Sequence, residues 1–149
     1  MALNAGEVIG DFTIEERLSV GKNEGGMSQV FLARDRLRPA YKVVIKVNES
    51  HNNRAKAYQN LLKREASILK KLRHPNIVRI YPIRTRREPA YFARLTQHEN
   101  EPWYYVMEYI PAKNLENYIP AISGYPIEWR MELFYQLLSS VHYMHRVGY

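Results

Sequence analysis

The chain has 149 residues, with 22 Lys+Arg against 15 Asp+Glu for a formal charge of +7, 46% hydrophobic residues and no cysteine. This content supports one compact domain and excludes a disordered tail, and the lack of cysteine excludes a disulfide scaffold, a thiolate metal cluster and a cysteine nucleophile. No window reaches the ~20 apolar residues needed to cross a bilayer, and residues 1–7 lack the basic start and apolar core of a signal peptide, so the sequence predicts an unexported, cytoplasmic chain. The positive charge suits a phosphate-bearing partner. The basic residues are nevertheless scattered, apart from small clusters at Lys70, Lys71 and Arg73 and at Arg84, Arg86 and Arg87, so a solvated surface is the favoured reading of them and a nucleic-acid-binding role ranks last.

In chain order, residues 12–20 read as a strand, 21–28 as a glycine-bearing turn, 29–34 as a second strand and 41–47 as a third. Residues 54–72 have helical spacing, with Leu61, Leu62, Ile68, Leu69 and Leu72 on one stripe, and His74-Pro75 stops the helix because the residue before proline is pushed out of the helical region. Residues 77–83 and 103–109 read as two further strands. The polar connection between them has room for an extra strand at 91–95. A short helical segment at 115–119 precedes a longer helix at 128–146. In that helix Met131, Leu133, Phe134, Tyr135, Leu137, Leu138, Val141, Tyr143 and Met144 leave almost no polar face, so the remainder of a larger domain or a partner is expected to cover it.

Glu65 falls within the apolar stripe of the first helix. A buried carboxylate without a counter-charge costs several kcal/mol, so this position predicts a paired cation. The period of two in the third strand puts Lys42, Val44 and Lys46 on one face and Tyr41, Val43, Ile45 and Val47 on the other, which makes Lys46 a candidate partner. From spacing alone, two unrelated surface residues are an equal reading. The turn at 21–28 lies between two strands, not between a strand and a helix, which argues against loops that place phosphate on a helix N-terminus.

Taken in order, these motifs resemble the first half of a protein kinase domain of the bacterial Ser/Thr type. Residues Gly25-Gly26-Met27-Ser28-Gln29-Val30 resemble its glycine-rich loop and second strand, Val43-Val44-Ile45-Lys46 its lysine strand, and Glu65 its αC glutamate. His74-Pro75-Asn76-Ile77-Val78 is similar to the entry into its fourth strand, Val106-Met107-Glu108-Tyr109 to the strand bordering the adenine pocket, and Gln136-Leu137-Leu138 with Tyr143-Met144-His145 to its αE helix. The resemblance implies an α+β fold: an N-lobe of a five-stranded antiparallel sheet plus αC at about 10–107, a hinge and linker at 108–113, and αD and αE of an incomplete C-lobe at 114–149.

It also implies roles. Lys46 would hold the α- and β-phosphates of ATP, with Glu65 fixing its ammonium. Gly21, Gly25, Gly26, Met27 and Ser28 would form the loop over the phosphates, while Val20, Val30 and Val44 would pack on the adenine. Met107 would be the gatekeeper, Glu108 and Ile110 would offer backbone groups to the adenine edge, and Asn114 would lie near the ribose. Several positions depart from the family pattern. Either Asn23 replaces the first glycine or a longer loop gives that part to Gly21; Ser28 replaces the third glycine, Val44 replaces an alanine, and Ala112-Lys113 replaces two glycines. The catalytic loop and the Asp-Phe-Gly segment, with the ligands for Mg²⁺, have no counterpart in these residues, so the chain alone is expected not to phosphorylate a protein substrate. The alternative expectation is a non-catalytic, pseudokinase-like binding module or decoy.

Overall fold

The computed structural model describes residues 3–18, 28–48, 55–84, 89–94, 102–112 and 114–149. Val20, Gly21, Gly25, Gly26, Met27 and Lys113 lie outside the described residues. The chain forms two compact units, one of Met1–Lys71 with Arg79–Tyr109, the other of Leu72–Val78 with Ile110–Tyr149.

The first unit is an antiparallel sheet with one helix. Its elements are β1 (Val8–Ile9), β2 (Phe12–Arg17), β3 (Ser28–Asp35), β4 (Lys42–Asn48), α1 (Ala55–Leu69), β5 (Ile80–Tyr81), β6 (Ala93–Arg94) and β7 (Trp103–Glu108). The strand order is β1-β2-β3-β4-β7-β5, with β6 also pairing with β7. Among the described residues the sheet has seven strands where the sequence predicted five with room for one more at 91–95: β6 lies in that segment and pairs with β7, and the two-residue β1, which the sequence did not predict, pairs with β2. Segments this short carry no readable alternation. Residues 77–83 shrink to Ile80–Tyr81. Pro82 has no N–H for a ladder, and the Ile77 N–H turns back to the His74 carbonyl. The helix ends at Leu69 rather than 72, its last turn closed by Lys70 N–H donating to Ala66 O and Lys71 N–H to Ile68 O.

The period of two in β4 is realised. Val43, Ile45 and Val47 join Ile9, Phe12, Ile14, Phe31, Ala33, Ile83, Tyr104 and Val106 in one core, whereas Tyr41 precedes the strand and is exposed. On the other face Leu62 and Ala66 of α1 pack with Ile80 and Tyr105. Gly10 turns the chain between β1 and β2 at φ +56°, and a Cβ there would lie 3.0 Å from the Tyr104 hydroxyl, so only glycine suits both the backbone and the space. At the end of β3, Asp35 Oδ1 accepts the N–H groups of Leu37 and Arg38 at 2.9 and 3.2 Å, which closes the turn into β4.

In the second unit the expected helix at 115–119 is instead two 3₁₀ segments, Leu115–Asn117 and Ile119–Gly124. Pro120, at the start of the second, cannot donate to a continuing α-ladder. Helix α2 (Ile127–Arg146) follows, with Tyr125 stacked on Trp129 at 4.5 Å. Residues 73–74 dock on α2. Arg73 N–H donates to the Tyr143 hydroxyl (2.9 Å), and the His74 ring lies 5.2 Å from that of Tyr143. His74 Nδ1 accepts the Asn76 N–H, which puts the ring proton on Nε2 and lets it donate to Ser139 Oγ at 3.1 Å.

Candidate functional site

Lys46 and Glu65 meet. The Lys46 ammonium donates to Glu65 Oε1 at 2.8 Å and to Oε2 at 2.9 Å. The two side chains keep 24% and 42% of their surface exposed, so Glu65 is less buried than its place in the apolar stripe predicted. The exposed members of that stripe explain this: Leu61 is half in solvent, and the helix instead seals Leu62 and Ala66 against the sheet.

Register fixes what surrounds the pair. In antiparallel strands, residues directly opposite share a face. Lys46 lies between Val30 on β3 and Tyr105 on β7, and Val44 lies between Leu32 and Met107. One face of the sheet thus carries Val30, Val44, Lys46 and Met107, so the Lys46 ammonium is set beside an apolar wall. Ser28 pairs with Asn48 at the far end of β3, two residues beyond Val30.

Tyr105 was not anticipated as part of this site. Its side chain is 1% exposed, and the Lys46 ammonium lies 5.9 Å from its ring centre. Burial first, and then the nearby Glu65 charge, push the phenol far above its ordinary value, so it stays neutral. Strand 103–107 is apolar at every position, and a continuous apolar run hides which residues face α1.

Glu108 uses its N–H on the Arg79 carbonyl and accepts the Arg79 N–H on its carboxylate, both at 2.9 Å. Ile110 and Asn114 belong to the second unit. Both are exposed; the Ile110 carbonyl accepts the Ala112 N–H, and the Asn114 carbonyl accepts the Asn117 N–H. Asn114 makes no side-chain cap to the 3₁₀ turn that follows it.

A lysine paired to a helix glutamate on an apolar antiparallel sheet also has sequence counterparts. Residues 16–149 match the family described as Protein kinase domain. The chain belongs to the protein kinase family. Among similar proteins, CBL-interacting serine/threonine-protein kinase 18 of Arabidopsis thaliana is 32% identical over 124 residues, 83% of this chain and 21% of that protein. Serine/threonine-protein kinase PrkC of Bacillus subtilis is 28% identical over 122 residues, 82% of this chain and 17% of that protein. The kinase domain of Mycobacterium tuberculosis PknI has the same fold, with a TM-score of 0.62 at 17% identity, covering 99% of this chain and 53% of that one. This kinase-family chain thus spans about a fifth of the curated relatives it matches and about half of a solved kinase domain. Among its described residues, no helix is long and apolar enough to cross a membrane.

Proposed function

We propose that this chain is the ATP-binding half of a serine/threonine protein kinase, acting with a C-terminal lobe that supplies the catalytic loop. Residues of about 10–107 are then the N-lobe, 108–113 the hinge and linker, and 114–149 the start of the C-lobe. The observation that carries this reading is the two-pronged Lys46–Glu65 pair on the face shared with Val30, Val44 and Met107. An ammonium has three donors. Glu65 engages it through two contacts, which holds Lys46 in place and leaves a donor for a phosphate oxygen. The apolar wall suits a purine ring.

ATP with Mg²⁺ supplies the phosphoryl group that the complete enzyme would pass to a protein hydroxyl. This chain's own residues bind and orient it. Lys46 meets the α- and β-phosphates, Glu65 fixes Lys46, and Val20, Val30, Val44 and Met107 hold the base. Gly21, Gly25, Gly26, Met27 and Ser28 cover the phosphates, Glu108 and Ile110 meet the adenine edge, and Asn114 meets the ribose. Ligands for Mg²⁺ are assigned to the rest of the C-lobe, which would also cover α2. A cytoplasmic location, where ATP is abundant, goes with this reading.

Titration of the chain with Mg-ATP tests it. Lys46→Met is expected to weaken binding about ten- to hundredfold, the range for losing a charged hydrogen bond. Joined to a kinase C-lobe, the chain is expected to phosphorylate protein hydroxyls, and Lys46→Met to abolish this. Activity or binding that ignores Lys46→Met overturns the proposal.

A further inference from the structure

The connection between β5 and β7 had no readable role in the sequence, yet its aromatic residues converge on α1. Lys63 Nζ lies 3.8 Å from the centre of the Trp103 ring and 5.9 Å from that of Phe92, and the two rings are 5.5 Å apart. About two helical turns further on, Lys70 Nζ lies 4.8 Å from the Tyr91 ring. In the amide orientation that satisfies its neighbours, Gln59 Oε1 accepts from both Lys63 Nζ (3.1 Å) and Trp103 Nε1. The Trp103 backbone is itself fixed. It pairs with Arg94 on β6, and its N–H donates to Asn48 Oδ1 at the end of β4 (2.5 Å).

Gln59, Lys63, Ala66 and Lys70 recur at intervals of four, three and four, so they form one stripe of the helix. Leu62, Glu65 and Leu69 form the adjoining stripe. A rotation of α1 that carried Glu65 away from Lys46 would also drag Lys63 off Trp103. Cation–π contacts weaken steeply once the cation leaves the ring face, so the aromatic residues resist that rotation.

We propose that Trp103, supported by Phe92 and Tyr91, is a positioning residue for the Lys46–Glu65 pair, acting through Lys63 as a clamp built into the chain. This deepens the proposed function and rests on its reading of that pair as the phosphate-holding device.

The test reads the pair directly, without nucleotide: the rate at which an N-hydroxysuccinimide ester acylates Lys46 in the full chain, followed by mass spectrometry of the peptide that carries it. Acylation needs the ester to reach the Lys46 nitrogen, and a carboxylate held at 2.8 and 2.9 Å obstructs that approach. Glu65→Gln is expected to raise the rate about tenfold, and Trp103→Leu and Lys63→Met by about three- to tenfold, the scale of a cation–π contact. Trp103→Phe and Lys63→Arg keep ring and cation and are expected to restore the slow rate, which a merely structural role would not predict for both. Lys63→Met leaves the core untouched, so it remains informative if Trp103→Leu fails to fold.

Wild-type rates in both Trp103→Leu and Lys63→Met, with Glu65→Gln fast, overturn the clamp. A slow Glu65→Gln overturns the pair and the clamp together. The expected order of rates in a chain that does not bind Mg-ATP supports the clamp and overturns the proposed function instead.

Discussion

The two units handle apolar residues in opposite ways. In the sheet unit Phe31, Ala33, Ile45 and Val106 have no exposed surface, and α1 adds Ala66. In the α2 unit Leu72 and Ser140 are the buried residues among those described, while Met131, Phe134, Tyr135 and Leu138 each keep more than half their surface in solvent. Burying a large apolar side chain gains about 1.5–3 kcal/mol, so the sheet unit carries its stability within itself, and α2 is held by polar and aromatic contacts to His74 and Arg73. Apolar composition thus does not by itself predict burial; what faces it decides.

The largest effect expected from this contrast comes from a matched pair of truncations. Phe31→Ala empties a site sealed on both sides by β2 and β4 and is expected to cost about 3–5 kcal/mol in denaturant unfolding. Phe134→Ala removes the same ring from the exposed face of α2 and is expected to change stability by no more than about 0.5 kcal/mol. Equal costs at the two sites would break the comparison, because they would mean that Phe134 is covered in solution.

The same contrast explains what the sequence made legible. In β4 the alternation of Val43, Ile45 and Val47 with Lys42 and Lys46 declares which face is core, because only one face is apolar. The stripe on α1 and the all-round apolar surface of α2 are equally open to reading. In β7 the run Trp103-Tyr104-Tyr105-Val106-Met107 is apolar on both faces, since Tyr104 and Val106 enter one core and Tyr105 the other. Periodicity could not assign Tyr105 to Glu65. The Lys46–Glu65 pair was legible as a need for a counter-charge, although not its partial exposure. The clamp of Lys63 and Lys70 on Trp103 and Tyr91 was hidden for a different reason: it joins residues far apart in the chain, and cations and rings have no spacing rule that links them.

A second, smaller effect separates the buried interior of the sheet unit from everything outside it. Burial, and after it the charge of Asp11, push the Tyr104 phenol up to about 12 from its ordinary 10.0. The folded state then holds a proton that the unfolded chain gives up. Its stabilisation is complete below pH 10 and is lost as pH rises towards 12, to the extent of about 3 kcal/mol. Unfolding followed by tyrosinate absorbance is expected to show this alkaline loss in the wild type and a shallower one in Tyr104→Phe. An identical slope in the variant would mean that the interior around Tyr104 admits water.

The smallest effect lies on the polar surface of the same sheet, where Glu15 accepts from Lys42 (3.0 Å) and from Arg34 Nε (2.6 Å). The Lys42 hydrogen bond, reinforced by Arg34 and opposed by partial desolvation, holds this carboxyl below its ordinary 4.5. A lowered folded-state value means stability that is present above pH 4.5 and lost as pH falls through the folded value. Because the group is near solvent, the loss is expected to stay within about 1 kcal/mol and to shrink further with added salt. Glu15→Gln should therefore flatten the acid limb of the stability curve at low ionic strength and leave the alkaline limb set by Tyr104 unchanged. If the acid limb is the same in both chains, Glu15 contributes position to β2 and β3 but no net free energy, and the pH response of the sheet unit belongs to its buried tyrosines alone.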